Sequence, residues 1–275
     1  MNLLKERAKQ LGLWAIVTNW EDYEKQEWLA PLILAEEQER DRRSFERRVR
    51  DARIGQFKPM SEFEWDWPEK IDREQVEDLF KLEFMKDKSN VILVGTNGLG
   101  KTMIAQNLAH SALMSGVATR FIKASEMLNE LVECDGSRDR RNCLKKYCKI
   151  PLLVLDEVGY LSYDNRFADL LYEIVSGRYE HHSTVVSTNK GFRDWKEIFP
   201  HAACAVTLVD RLTHHSESVV IEGESYRKKE AEERAVARNK ARQQNRVKKK
   251  DNSKTEQASS APGGANAQNC LYPAV

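Results

Sequence analysis

Eight consecutive residues, Gly95, Thr96, Asn97, Gly98, Leu99, Gly100, Lys101 and Thr102, spell G-x-x-x-x-G-K-T. The chemistry this spacing serves is phosphate binding. Glycines at 95, 98 and 100 let main-chain N–H groups turn inward around phosphate oxygens, where a Cβ would obstruct. Lys101 is spaced to reach the β and γ phosphates, and the Thr102 hydroxyl to ligate Mg²⁺. Such a loop is meaningful only between a strand and a helix. Val91 to Val94 supplies a short apolar run that reads as a buried strand, and Ile104, Ala105, Leu108, Ala109 and Ala112 fall at helical spacing. The new helix presents unpaired N–H groups and the positive end of its dipole to the same anion. The stretch therefore predicts a nucleoside triphosphate site.

A second landmark lies some fifty residues on. Leu152 to Leu155 is an apolar run closed by Asp156 and Glu157, which reads as a buried parallel strand whose C-terminal end reaches the site. Asp156 would hold Mg²⁺ largely through water, and Glu157 would orient and polarise an attacking water. A single Asp suits a switch-type NTPase or a kinase; the adjacent pair favours a hydrolysing motor or remodeller. Thr184 to Asn189 is a further β-branched strand ending in polar residues at the same edge. Asn189 is suited to touch the γ-phosphate or the lytic water; alone, it would read as a cap on the next loop. Arg211 follows a short apolar segment, Val206 to Val209. The pairs His181-His182 and His214-His215 lack a carboxylate at matching spacing, so they read as packing or hydrogen-bonding groups rather than metal ligands.

Length and composition bound the rest. The 275 residues suit one α/β domain with additions, 41% apolar residues support a core, and 32% charged residues with no long apolar run exclude a membrane protein. The start, MNLLKERAKQLGLW, has an early charge cluster and no apolar h-region, which predicts no signal peptide. Five cysteines, odd in number and without C-x-x-C spacing, predict a reduced, cytoplasmic setting and no zinc site.

Along the chain, Leu3, Leu4, Leu11, Trp14, Trp28, Leu29, Leu32 and Ile33 predict helices with apolar faces, interrupted near Pro31. Between Arg40 and Arg53, seven arginines stand against three acids, a net of +4. The run reads either as a solvated helix face laced with i,i+4 pairs or as a nucleic-acid surface. Residues 1–60 are expected to form a helical N-terminal domain, 61–70 a linker, 71–227 the nucleotide domain and 228–275 a basic, largely disordered tail. Residues 133–149, with six bases against three acids, read as an insertion, either a DNA-facing loop or an exposed turn. From Arg227 to Lys250, eleven bases stand against three acids, a net of +8, nearly without apolar residues. That charge density attracts DNA non-specifically, or serves only to solubilise. Residues 251–275, rich in Ser, Ala, Asn and Gly, read as disordered.

The strings LLVLDEVGYLSYD, LLYEIVSGRYE, STVVSTNKGFRDWKEIF and LVDRLTHHSESVVIEGESYR, with the arginine-rich N-terminal helix, resemble the IstB-type transposition helper ATPases. These are a branch of the AAA+ class related to DnaC-like helicase loaders, and the resemblance covers roughly residues 1 to 228. It implies an α/β fold: a P-loop AAA+ parallel sheet flanked by helices, with a small α-helical N-terminal domain. It also implies ATP with Mg²⁺ as cofactors, Asn189 as sensor 1, Arg211 as an arginine finger acting on a neighbouring subunit, and Arg227 as a sensor of nucleotide state. The implied partners are double-stranded DNA, a cognate transposase and further copies of the chain, with no membrane. Asn97 departs from the family, which often has proline there. The alternative reading is a DnaC-like replicative helicase loader. A small-molecule kinase has no use for an arginine supplied in trans, and a DNA adaptor with a vestigial site would lack a catalytic position.

Overall fold

Five strands carry the site: β1 (Asn90–Gly95), β2 (Thr119–Lys123), β3 (Leu152–Val158), β4 (Ser183–Thr188) and β5 (Ser216–Ile221). They form one sheet in the order β2-β3-β4-β1-β5. Every pairing is parallel, so all five C-terminal ends lie along one edge. The computed structural model describes residues 3–134, 136–160, 165–195, 199 and 202–240.

The helices are α1 (Leu3–Gln10), α2 (Trp14–Thr18), α3 (Trp20–Tyr23), α4 (Leu29–Ala52), α5 (Arg73–Leu79), α6 (Lys101–Met114), α7 (Ala124–Val132), α8 (Ser137–Lys149), α9 (Asn165–Arg178) and α10 (Ala202–Thr213). Alternate strand residues feed two cores. Val91, Leu93, Leu152, Val154, Val185, Val219 and Ile221 pack with α5 and α6 on one face. Ile92, Ile122, Leu153, Leu155 and Val186 pack with α7, α8, α9 and α10 on the other. Strands β1 and β3 are covered on both faces, which is why Val91–Val94 and Leu152–Leu155 read as continuous hydrophobic runs.

At the N-terminal end, Ala8, Leu11, Trp20, Leu29 and Ile33 build a separate small core, while Leu3, Trp14, Trp28 and Leu32 stay exposed. The expected interruption near Pro31 does not occur. One 24-residue helix runs through it, because Pro31 falls in the first turn, where a missing N–H breaks no helical hydrogen bond. The arginines of α4 are largely paired within the helix: Arg40 with Glu36, Arg42 with Glu39 and Glu46, and Arg43 with Glu39. The Arg42 and Arg43 guanidiniums hold the Glu39 carboxyl down at about 2. The end of α4 is tied to the sheet. Ala52 and Ile54 enter the core shared with α6, and Arg120 donates to the Asp51 carbonyl at 2.9 Å.

Residues 133–149 are neither loop nor turn over most of their length: 137–149 is α8. Its charges face water, but Cys143, Leu144 and buried Tyr147 return at helical spacing to meet the core. The Tyr147 hydroxyl donates to Glu130. Beyond the helix end, buried Arg178 donates to the carbonyls of Tyr147 and Ile150, each at 2.7 Å, meeting acceptors the helix cannot satisfy itself. Counting charge alone conceals that apolar face.

The chain divides into two compact units, Met1–Ser225 and Tyr226–Val275. In the second, residues 226–240 are helical, with Arg234 paired to Glu230 at 2.6 Å. The expectations for residues 241–275 lie outside the described residues, as do residues 161–164 and 196–198 of the quoted motifs. Among the described residues no helix is long and apolar enough to cross a membrane.

Candidate nucleotide-binding site

The loop between β1 and α6 is held by neighbours that leave no room for side chains at two glycines. Gly98 and Gly100 have φ of +86° and +87°, a region L side chains rarely adopt. A Cβ on Gly98 would stand 2.1 Å from Ser225 Oγ, and one on Gly100 2.5 Å from the Phe63 ring. Phe63 belongs to the stretch expected as a linker. That stretch is bound down: Phe63 stacks on Trp65 with centroids 4.7 Å apart, Trp67 Nε1 donates to the Glu224 carbonyl at 2.9 Å, and Lys70 bridges to Glu222.

Within the loop, Lys101 is 8% exposed and its Nζ donates to the Thr96 carbonyl at 2.7 Å. The ammonium is thus curled over the loop's own oxygen, a position a phosphate oxygen would take over. Thr102 Oγ1 lies 3.1 Å from both carboxylate oxygens of Asp156. Asp156 is 1% exposed, and burial pushes its pKa up against the opposing hydrogen bonds from Ser187 and Thr102. Hydroxyl and carboxylate together form the oxygen-only pair that suits a hard cation such as Mg²⁺.

Next to Asp156 the ladder between β3 and β4 slips by one residue: Leu155 pairs with Val186, and the following pair is Val158 with Thr188. Glu157 occupies this bulge at φ +60°. Such a bulge re-aims a side chain at the cost of a ladder bond. The Glu157 N–H recovers a partner in Ser187 Oγ at 3.0 Å, while Ser187 Oγ itself donates to Asp156. The result separates two adjacent carboxylates: Asp156 is buried against Thr102, and Glu157 is half-exposed, its carboxylate 2.9 Å from Lys123 Nζ. That pairing raises the Lys123 pKa.

Asn189 follows β4 directly, and its Oδ1 is buried with no hydrogen-bond partner. An orphaned buried acceptor normally marks a missing ligand or water. Arg211 is elsewhere. It sits in the last turn of α10 with its guanidinium over Tyr172 at 5.0 Å and Tyr179 at 5.8 Å. The end of α10 is bound to the start of β1, since Asn90 donates from its side chain to the Leu212 carbonyl and from its N–H to that of His215. The backbone of Arg211 therefore lies toward the edge where the strands begin, at the opposite end of β1 from the P-loop. Arg227 is exposed and belongs to the second unit.

Gly95 to Thr102, Asp156, Glu157 and Asn189 are thus brought to one sheet edge; Arg211 is not. Four residues escape a reading by motif: Lys123, Ser187, Phe63 and Ser225. Only for Ser187 was a signal present, in the polar end of its strand. The orphaned Asn189 oxygen, the displaced Lys101 contact and the Thr102–Asp156 pair fit a triphosphate with Mg²⁺.

Known proteins point the same way. The chain is 34% identical over 210 residues to the ATP-binding protein of insertion sequence IS21 from Pseudomonas aeruginosa, covering 76% of this chain and 79% of that one. It is 32% identical over 204 residues to the ATP-binding protein of insertion sequence IS5376 from Geobacillus stearothermophilus, covering 74% and 81%. The solved DnaC helicase loader superposes with a TM-score of 0.47 at 19% identity, over 56% of this chain and 93% of that one. The pattern described as IstB-like ATP binding protein matches residues 7–234, and the chain belongs to that family.

Proposed function

We propose that this chain is an ATPase that assembles as a homo-oligomer on double-stranded DNA and regulates or recruits a cognate transposase, with hydrolysis remodelling or releasing the assembly. The observation that carries the hydrolytic part is the bulge at β3: it buries Asp156 against Thr102 while turning Glu157 outward, half-exposed and paired with Lys123.

In this reading Lys101 and the loop N–H groups bind the phosphates of ATP, and Thr102 and Asp156 hold Mg²⁺. The bound cation would supply charge neutralisation at the phosphates. Glu157 accepts the proton of the attacking water, and Asn189 orients that water. Arg211, at the far edge of its own sheet, completes the site of a neighbouring subunit in trans. Arg227, opening the second unit, reports nucleotide state. The insertion-sequence names of the relatives support a transposase as partner over a replicative helicase. DNA contact is supported by the net +8 of residues 227–250 and, more weakly, by α4, where Arg40, Arg42 and Arg43 already have acidic partners.

The test is phosphate release and sedimentation of the purified chain with ATP, Mg²⁺ and duplex DNA, followed by strand transfer with a candidate cognate transposase. ATP-dependent assembly on DNA and a changed strand-transfer yield are expected. Absence of both turnover and assembly at every protein concentration overturns the proposal.

A further inference from the structure

Away from the nucleotide loop, two turns meet at the edge of the sheet where the strands begin. One, after α9, carries Tyr179 and Glu180; the other, after α10, carries His214 and His215. Strand β1 lies between the strands these turns lead into, β4 and β5. Asn90, at the start of β1, ties them together: its Oδ1 accepts from the Thr184 N–H at 3.0 Å, its Nδ2 donates to the Leu212 carbonyl at 3.1 Å, and its N–H donates to the His215 carbonyl at 2.8 Å. The two turns are therefore held in fixed relation through the side chain and main chain of buried Asn90.

Across them, one ligand atom each from Glu180, His214 and His215 lies within 4.8 Å of the others. Tetrahedral zinc, with bonds near 2.0–2.1 Å, needs ligand atoms about 3.4 Å apart, a closure that exposed side chains make by small rotations. Glu180 holds a left-handed φ of +60°, a conformation uncommon outside glycine and retained where surroundings enforce it. His214 Nδ1 is 2.9 Å from the Tyr179 hydroxyl. This leaves Nε2 for an ion and supplies the outer-sphere partner that metal-binding histidines commonly have. Two imidazoles and a carboxylate suit borderline divalent ions rather than Mg²⁺ or Ca²⁺. We propose that Glu180, His214 and His215 form a binding site for a divalent transition cation of the Zn(II) type. Further coordination positions would be filled by water or by a group from another molecule. Tyr179 lies under Arg211, so the ion would stiffen the segment that presents that arginine.

The site is tested on the full-length, tag-free chain stripped with chelator and titrated with Co(II), then Zn(II). The expected result is one Co(II) per chain with a visible band of low coordination number, displaced by Zn(II), and a melting temperature raised by Zn(II) and restored by EDTA. Glu180→Gln and His215→Ala, both at exposed positions, each weaken binding about tenfold or more and lose the Zn(II)-dependent melting shift, while melting like the native chain without metal. Cys143→Ser leaves the titration unchanged. Absence of Co(II) binding by the native chain overturns the site. Equal affinity and stoichiometry in Glu180→Gln also overturns it, and since that substitution preserves shape, a folding defect in His215→Ala cannot obscure the outcome.

Discussion

Lys123 Nζ stands 2.9 Å from the carboxylate of Glu157. The contact follows from sheet register, because β2 pairs with β3 so that Lys123 faces Asp156, one residue before the bulge. In the proposed mechanism Glu157 must give up or share this ammonium before it accepts a proton from water. Lys123→Ala should therefore raise basal ATP turnover without changing KM. Both side chains are nearly half-exposed, and such pairs are worth about 1 kcal/mol at most, so the rise is bounded at roughly fivefold. Steady-state kinetics measure it; a fall in kcat would mean that Lys123 holds Glu157 in its productive position instead.

Lys101 and Glu157 should fail in different ways. Lys101→Ala loses nucleotide binding, since its Nζ is the ammonium held within the phosphate loop. Glu157→Gln retains ATP but hydrolyses it about 10²-fold more slowly or worse, as expected for loss of a positioned base. Fluorescent-nucleotide binding and single-turnover hydrolysis separate the two effects. Native-rate turnover by Glu157→Gln would remove it from the catalytic role.

Arg211→Ala should bind ATP almost normally, hydrolyse it poorly and assemble weakly on DNA. Arginines supplied in trans are worth about 10³–10⁵ in rate in well-studied cases. Mixing Arg211→Ala with Lys101→Ala should restore part of the activity, because a mixed interface pairs an intact loop with an intact arginine. A folded Arg211→Ala chain with an unchanged rate at every protein concentration sinks the inter-subunit mechanism and leaves Arg211 as a packing group for Tyr172 and Tyr179.

Removing residues 228–275 should weaken duplex binding and flatten its salt dependence, by about 0.9 in the slope of log K against log salt for each phosphate no longer neutralised. Binding should be largely indifferent to sequence. The measurement is fluorescence anisotropy over a salt series. If neither affinity nor slope moves, DNA contact passes to α4, and Arg47→Ala, an exposed position on that helix, becomes the next variant to read.

The nucleotide loop, the Asp-Glu strand end and Asn189 were legible in the sequence because each is a contiguous run whose backbone geometry is set locally. The buried lengths of β1 and β3 are apolar runs, and a phosphate loop needs glycine at fixed offsets. Other features depend on register and on the sheet order β2-β3-β4-β1-β5, which no local pattern carries. Lys123 meets Glu157 only because β2 lies beside β3. The bulge that parts Asp156 from Glu157 exists only in the pairing with β4. Charge counting misread residues 137–149, whose helical face is visible only once there is a core for Tyr147 to enter. The carboxylate that meets His214 and His215 is Glu180, more than thirty residues earlier, brought there because β4 and β5 both flank β1. Parallel neighbours bring distant turns to a common edge, and it is the tertiary fold that chose which turns those are.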